Sequence, residues 1–267
     1  VSAAFFRFVI ACIFLIILTI RIDGRLPALK PFDIFVFFLL GLTGIFSYNI
    51  CFFLGLKYIQ ANQASLIIAC NPIFISLFSA LLFKESLTRR KTAGILISVS
   101  GALTVISRGN LFDILDLGLG KGEVLILGCV VSWVAYSLLG KTVMNRFSPI
   151  ASVCYSSIAG TLLLLLPAVM QGTFLNLDNF HFLEWSCFFY LGFFGTVLGF
   201  MWYYEGIKTI GPMKAGIFIN FVPISAILLS FIILKETVTI SLITGALLVI
   251  TGVWLTNSKP QNIGREG

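Results

Sequence analysis

The chain has 267 residues, of which 58% are hydrophobic and only 11% charged, with a mean hydropathy of +1.04 and a single histidine; soluble domains carry roughly 25% charged residues, so a water-soluble globule is excluded. The formal net charge of +7 raises nucleic acid or an anionic surface as partners, but the cations sort by loop as a topology signal and leave no nucleic-acid footprint. Six cysteines, all inside apolar runs and without CxxC spacing, read as small core residues and exclude a disulfide framework or a metal site.

Apolar runs near the ~20 residues that cross the hydrocarbon predict nine spans. The first, Val1 to Ile20, carries Arg7 several residues inside it. The second, Phe32 to Leu56, puts Gly41, Gly44, Tyr48, Phe52 and Gly55 on one helical face and includes Asn49. The third, Ala64 to Phe83, holds the pair Asn71–Pro72, and the fourth, Thr92 to Ser107, holds Gly94 and Gly101. In the fifth, Gly122 to Val143, Trp133, Tyr136, Ser137 and Gly140 share a face, and the sixth, Ile150 to Met170, carries Tyr155. The seventh, Trp185 to Ile207, repeats the glycine face as Gly192, Gly195, Gly199, Tyr203 and Gly206. Asn220 and Pro223 sit in the eighth, Ala215 to Leu234, and Gly245 and Gly252 in the ninth, Ile240 to Leu255. A first run followed by eight more of its kind is not a signal peptide.

If the loop after the first span is cytoplasmic, thirteen of the eighteen cations fall on that side, among them Arg21, Arg25, Lys84, Arg89, Arg90, Lys141 and Arg146. Four fall on the other side: Lys57, Arg108, Lys121 and Lys235. That asymmetry sets the expected orientation.

The stretch LFKESLT at Leu82 returns as ILKETVT at Ile233, and Glu236 minus Glu85 is 151. The same shift pairs Gly41 with Gly192, Gly55 with Gly206, Pro72 with Pro223 and Gly101 with Gly252, so the chain holds a duplicated unit, expected over residues 1–108 and 120–257. The second copy has five spans and the first four, which places the counterpart of the fifth span roughly thirty residues before Val1 by the same shift. An odd number of helices per unit inverts one copy relative to the other. In each knot Thr88 or Thr239 is expected to cap the following helix, with Glu85 or Glu236 at that helix's positive end or paired with a lysine.

Two segments carry a family resemblance. MWYYEGIKTIGPMKAGIFINFVPISAILLSFIILKETVTISLITGALLVITGV from Met201 is similar to the second repeat of the EamA family of the drug/metabolite transporter superfamily, and FLGLKYIQANQASLIIACNPIFISLFSALLFKESLTRRKTAGILISVSGALTV from Phe53 to the first. The resemblance implies ten helices in two inverted five-helix bundles and alternating access of a central cavity to small metabolites. It also implies a multi-pass protein of the bacterial inner (plasma) membrane, with amino acids or related compounds as exported substrates.

Inverted repeats by themselves point to a transporter rocking about a midplane site, with Pro72 and Pro223 as hinges because each removes a backbone hydrogen bond. Polar and aromatic groups inside the spans are the expected substrate contacts: Trp133, Tyr136, Asn71, Asn220, Asn49, Tyr48, Tyr203, Tyr155 and Arg7. For the asparagines, interhelical hydrogen bonding stands beside ligand contact. For Arg7, snorkelling to the interface stands beside a bidentate grip on a substrate carboxylate.

The rival classes are a membrane-embedded enzyme and a receptor-like bundle. There is no HExxH or GxSxG, and His181 falls in a loop. The expectation is therefore an all-α membrane transporter, not an enzyme, without cofactor or metal. Its partners are a small-molecule substrate and the bilayer, and it is a monomer or at most a weak homodimer.

Overall fold

The computed structural model describes residues 2–59, 61–107, 120–174, 180–222, 224–225 and 240–258. Among them every regular element is helical, as hydrocarbon demands when no water is present to satisfy backbone N–H and C=O groups. In chain order these are α1 (Ser2–Asp23), α2 (Pro31–Leu40), α3 (Tyr48–Gly55), α4 (Ala61–Ile68), α5 (Asn71–Phe83) and α6 (Arg89–Ile106). They are followed by α7 (Lys121–Val143), α8 (Pro149–Met170), α9 (Phe182–Tyr190), α10 (Gly199–Ile210), the short α11 (Pro212–Gly216) and α12 (Ile240–Asn257). Among the described residues seven stretches are long and apolar enough to cross a membrane: Ser2–Asp23, Pro31–Gly55, Ala64–Phe83, Lys121–Val143, Pro149–Met170, Phe182–Ile210 and Ile240–Asn257. The 18-residue α6 falls outside that set, since Arg89, Arg90 and Lys91 occupy its first turn. Part of the expected eighth span, with Pro223, lies outside the described residues, as does the second knot with Glu236.

Sequence chemistry sets several helix ends. Ser148 accepts from Ala151 N at 3.1 Å with Pro149 in the first turn of α8, and Thr88 caps α6 by accepting from Lys91 N at 3.3 Å, as expected. Glu85 departs from its expectation. Its carboxylate lies against Gly211, whose φ is +86° and where an added Cβ would meet Oε1 at 2.6 Å. Because Lys84 takes a left-handed φ of 54°, the chain turns Glu85 away from α6 and toward the start of α11.

Helices meet through small residues. α6 and α12 cross antiparallel with Gly94 opposite Gly252 and Gly101 opposite Gly245; a Cβ on Gly252 would lie 2.5 Å from Gly94 O and from Ser98 N, and one on Gly101 would lie 2.7 Å from Gly245 O. In lipid, where burial of apolar surface gives helices little reason to associate, such close backbone approach supplies the attraction. The 151-residue shift turns the first contact into the second, so these two helices exchange places within one another's environment. α1 and α8 also run antiparallel, joined from Ser2–Thr173 through Cys12–Thr161 to Asp23–Ser148.

Two features were not anticipated. The second and seventh spans are not continuous α-helices: Gly41–Ser47 and Leu191–Leu198 are π-helical, and the same shift superposes them. Each wide turn is supported by a threonine hydroxyl: Thr43 donates to Leu39 O at 2.8 Å and Thr196 to Leu191 O at 3.2 Å. The third span is also broken. α4 stops at Ile68, a tight turn passes through Ala69 and Cys70, and Pro72 is the second residue of α5. The expected mid-helix proline kink is therefore corrected to a helix start, where a missing N–H costs nothing. Residues Ile217–Asn220, just before Pro223, form a 3₁₀ turn.

These packing constraints give a direct check. Gly252→Val has no flexible neighbour to displace and is expected to cost about 1–3 kcal/mol or more. Gly199→Ala, whose Cβ would meet only Phe194 O at 3.6 Å, is expected to stay within about 0.5 kcal/mol. Thermal melting of the purified protein in detergent measures both.

Candidate functional site

A cavity of about 490 Å³ lies between the helices, in the size range of small-molecule sites. The interruptions described above place its walls. The turn after α4 contributes Ile68, Ala69 and Asn71, and the 3₁₀ turn after α11 contributes Ile219 and Asn220, with Val222 just beyond. Under the 151-residue shift Ile68 pairs with Ile219, Ala69 with Asn220 and Asn71 with Val222, so matched positions of the two copies face one space. The pairs were legible in the repeat; that they converge was not.

Six of the nine expected contact residues line this cavity: Arg7, Tyr48, Asn49, Asn71, Trp133 and Asn220. Asn49 donates to Ile45 O at 2.7 Å and Asn220 Nδ2 to Ser98 Oγ at 3.0 Å. The Oδ1 atoms of Asn71 and Asn220 are buried without a hydrogen-bond partner, and each residue is 1% exposed. Tyr48 and Trp133 pack ring to ring at 5.5 Å. Arg7 does not snorkel: its Nε donates to Thr196 Oγ1 at 2.7 Å, and Thr196 is the midpoint of the 29-residue stretch Phe182–Ile210.

Three expectations are corrected. Tyr136 shares a helical face with Trp133 but is fully buried outside the cavity lining. Its ring fills the space left by Gly44, lies 4.9 Å from that of Tyr204, and its hydroxyl sits 3.3 Å from Ser156 Oγ. Tyr155 is a strut, donating to Pro27 O at 2.6 Å and packing on Phe37. Tyr203 is bonded to Ser137 at 2.7 Å and stacked on Trp133, and it is not among the residues that line this cavity.

Tyr203 lines instead a second space of about 530 Å³ along α10, with Gly195, Gly199, Trp202 and Gly206. A Cβ on Gly195 would meet nothing within 4 Å, whereas its pair by the shift, Gly44, is covered by Tyr136 of α7.

Residues the sequence did not single out complete the surroundings. Phe8 and Phe200 close the wall beside Arg7, their rings 6.2 Å apart. On the side of the basic loops, Arg146 Nη1 pairs with Asp33 Oδ1 at 2.5 Å while Asp33 Oδ2 accepts from Lys30 N at 2.7 Å. The one signal for Asp33 was an acidic residue in the first turn of a helix. Among the described residues no group of three or more His, Cys, Asp or Glu could hold a metal.

The model of the EamA-like transporter family matches residues 1–107 and again 120–258. The chain belongs to the EamA-like transporter family. This EamA-like protein is 29% identical to the uncharacterized transporter YyaM of Bacillus subtilis over 94% of its own length and 82% of the relative's. It is 26% identical to a probable terminal-alkyne amino-acid exporter of Streptantibioticus cattleyicolor over 97% and 84%. A crystal structure superposes with a TM-score of 0.77 over 96% of this chain and 87% of that one, at 20% identity, a likeness of fold. The EamA-like chain is thus a multi-pass membrane protein of a transporter family.

The corrected roles separate by mutation. Tyr155→Phe is expected to cost about 1 kcal/mol of stability through the lost bond to Pro27 O, and Tyr136→Ala about 3–5 kcal/mol through the void it leaves. Neither Tyr155→Phe nor Tyr136→Phe should alter ligand affinity, read by thermal melting and equilibrium binding on the same preparations.

Proposed function

We propose that this protein is a secondary transporter that moves small amphipathic metabolites, amino acids or related compounds, outward across a bacterial inner membrane by alternating access. Its two units, 1–108 and 120–257, are read as an inverted repeat of five-helix bundles. The observation that carries the reading is the cavity in which four pairs matched by the shift meet, Asn49 with Phe200, Ile68 with Ile219, Ala69 with Asn220 and Asn71 with Val222, since such pairing lets one arrangement face either side after the copies trade conformations. The antiparallel crossing of α6 and α12 with exchanged glycine contacts and the paired π segments support inversion. The similarity to the probable terminal-alkyne amino-acid exporter of Streptantibioticus cattleyicolor supports amino-acid export.

The cavity lies toward the end of the bundle that carries Phe53 and Ser65, both exposed. Toward the basic loops it is closed by Tyr136, Tyr204 and Phe200. Tyr136 is seven residues before the end of α7, about 10 Å along a helix. In this reading the structure is the outward-facing state, and the inward-facing one requires that aromatic floor to part along with the Asp33–Arg146 pair.

Reconstituted vesicles assayed for amino-acid flux, with and without a pH gradient, test the function; no flux of any metabolite in a broad panel rejects it. Within that assay Trp133→Ala, Asn71→Ala and Asn220→Ala are each expected to weaken apparent affinity by roughly 5- to 150-fold, the loss of one buried contact worth about 1–3 kcal/mol. For orientation, a cysteine at His181 in a cysteine-free background should label from outside intact cells and one at Arg89 should not. The reverse pattern would invert the proposed direction.

A further inference from the structure

Arg7 is a permanent cation set against the cavity, and among the described residues it forms no ion pair. The ion pair found among the described residues is Arg146–Asp33, and no aspartate or glutamate lines the cavity. Its guanidinium lies 5.1 Å from the centroid of the Phe8 ring, a cation–π contact that offsets only part of the cost of taking a charge out of water, and such residues inside membranes face a polar pathway or a counter-ion. Packing does not demand the charge either. The 151-residue shift pairs Arg7 with Ile158, so the equivalent place in the other copy is filled by an aliphatic side chain. The bond from Nε to Thr196 at mid-span holds the guanidinium inward while leaving its terminal nitrogens for another partner.

The two amides supply the complementary chemistry. Asn71 and Asn220 replace what the shift pairs with them, Val222 and Ala69, and their Oδ1 atoms are buried acceptors with nothing to accept from. Because Asn220 Nδ2 is committed to Ser98, its oxygen is the end left over. Acceptors beside the faces of Tyr48 and Trp133 suit an ammonium group. Phe52, Ile68 and Ile219 leave an apolar remainder.

We propose that Arg7 binds the carboxylate of the transported molecule and that Asn71 and Asn220 receive its ammonium group, making the preferred ligand a small zwitterion with an apolar side chain. This deepens the transport reading and rests on it. Arg7, Asn71 and Asn220 are among the cavity positions where the duplicated halves differ, as are Tyr48 and Asn49, which the shift pairs with Gly199 and Phe200, and these departures supply polarity and direction.

The test is equilibrium binding to the full chain in lipid nanodiscs with four probes: L-phenylalanine, L-phenylalaninamide, phenethylamine and N-acetyl-L-phenylalanine. Wild type is expected to bind the amino acid about 10- to 150-fold more tightly than the amide or amine, the range for a hydrogen bond to a charged group, and to disfavour the N-acetyl acid similarly. Arg7→Gln should erase the preference for acid over amide, Arg7→Lys should restore part of it, and Asn71→Leu should erase the preference for the free amine alone. Equal binding of acid and amide by wild type overturns the proposal without any variant, so poor folding of Arg7→Gln does not protect it. An acid preference that survives Arg7→Gln also overturns it. If no probe binds, the zwitterion assignment falls alone when vesicle flux finds another substrate, and together with the transport reading when it finds none.

Discussion

Every backbone amide within the hydrocarbon must find its partner without water, and the architecture follows from that demand. Long apolar runs close their hydrogen bonds internally as helices, and departures from the α-helix occur where protein or a polar cavity covers them. The turn after α4, the 3₁₀ turn at Ile217–Asn220 and the π segments at Gly41–Ser47 and Leu191–Leu198 lie beside or pack around the central space. Each changes the direction in which the next side chains point. The broken stretches thereby bring amides and aromatics to the middle of a membrane protein.

Helix association sets the second layer. With no hydrophobic drive between apolar surfaces in lipid, contact depends on how closely backbones approach. Glycines therefore decide the geometry: Gly94 and Gly101 against Gly252 and Gly245, Gly41 against Gly160, and Gly192 against the carbonyl of Arg7. Where a glycine faces a large ring, as Gly44 faces Tyr136, the ring is drawn into packing and removed from the cavity wall. The site is shaped as much by what these contacts take away as by what they present.

Duplication gives the cavity its matched walls, and substitutions within the duplicate give it chemistry. A perfectly symmetric site would treat both ends of a ligand alike, whereas Arg7 opposite Ile158 by the repeat, and Asn71 opposite Val222, make the two halves chemically unequal around one space. The Asp33–Arg146 pair at the basic end is half exposed on the arginine side, so its strength is modest. A contact of that kind suits a closure that must also open.

How much of this was legible in the residues follows from the reach of each signal. Hydropathy alone gives the spans, because the length needed to cross the hydrocarbon is fixed. The 151-residue shift gives the duplication, because matched glycines and prolines survive only where backbone geometry repeats. Asn71, Asn220 and Arg7 were visible as candidates because polar groups in hydrocarbon must be accounted for. The fate of Trp133 and Tyr136 was not, since both lie on one face of α7 and only the Gly44 and Tyr204 surfaces opposite decide which ring is packed away. Tyr155 was equally undecidable until the Pro27 carbonyl stood within reach. The π turns escaped because a π segment is a rare local widening inside an otherwise helical run, and the apolar pattern that marks the run is the same for both. Sequence by itself determined the membrane class, the repeat and the inventory of polar groups, all properties of composition and spacing; tertiary structure decided which of those groups meet in one cavity, because that depends on which small residues let which helices touch.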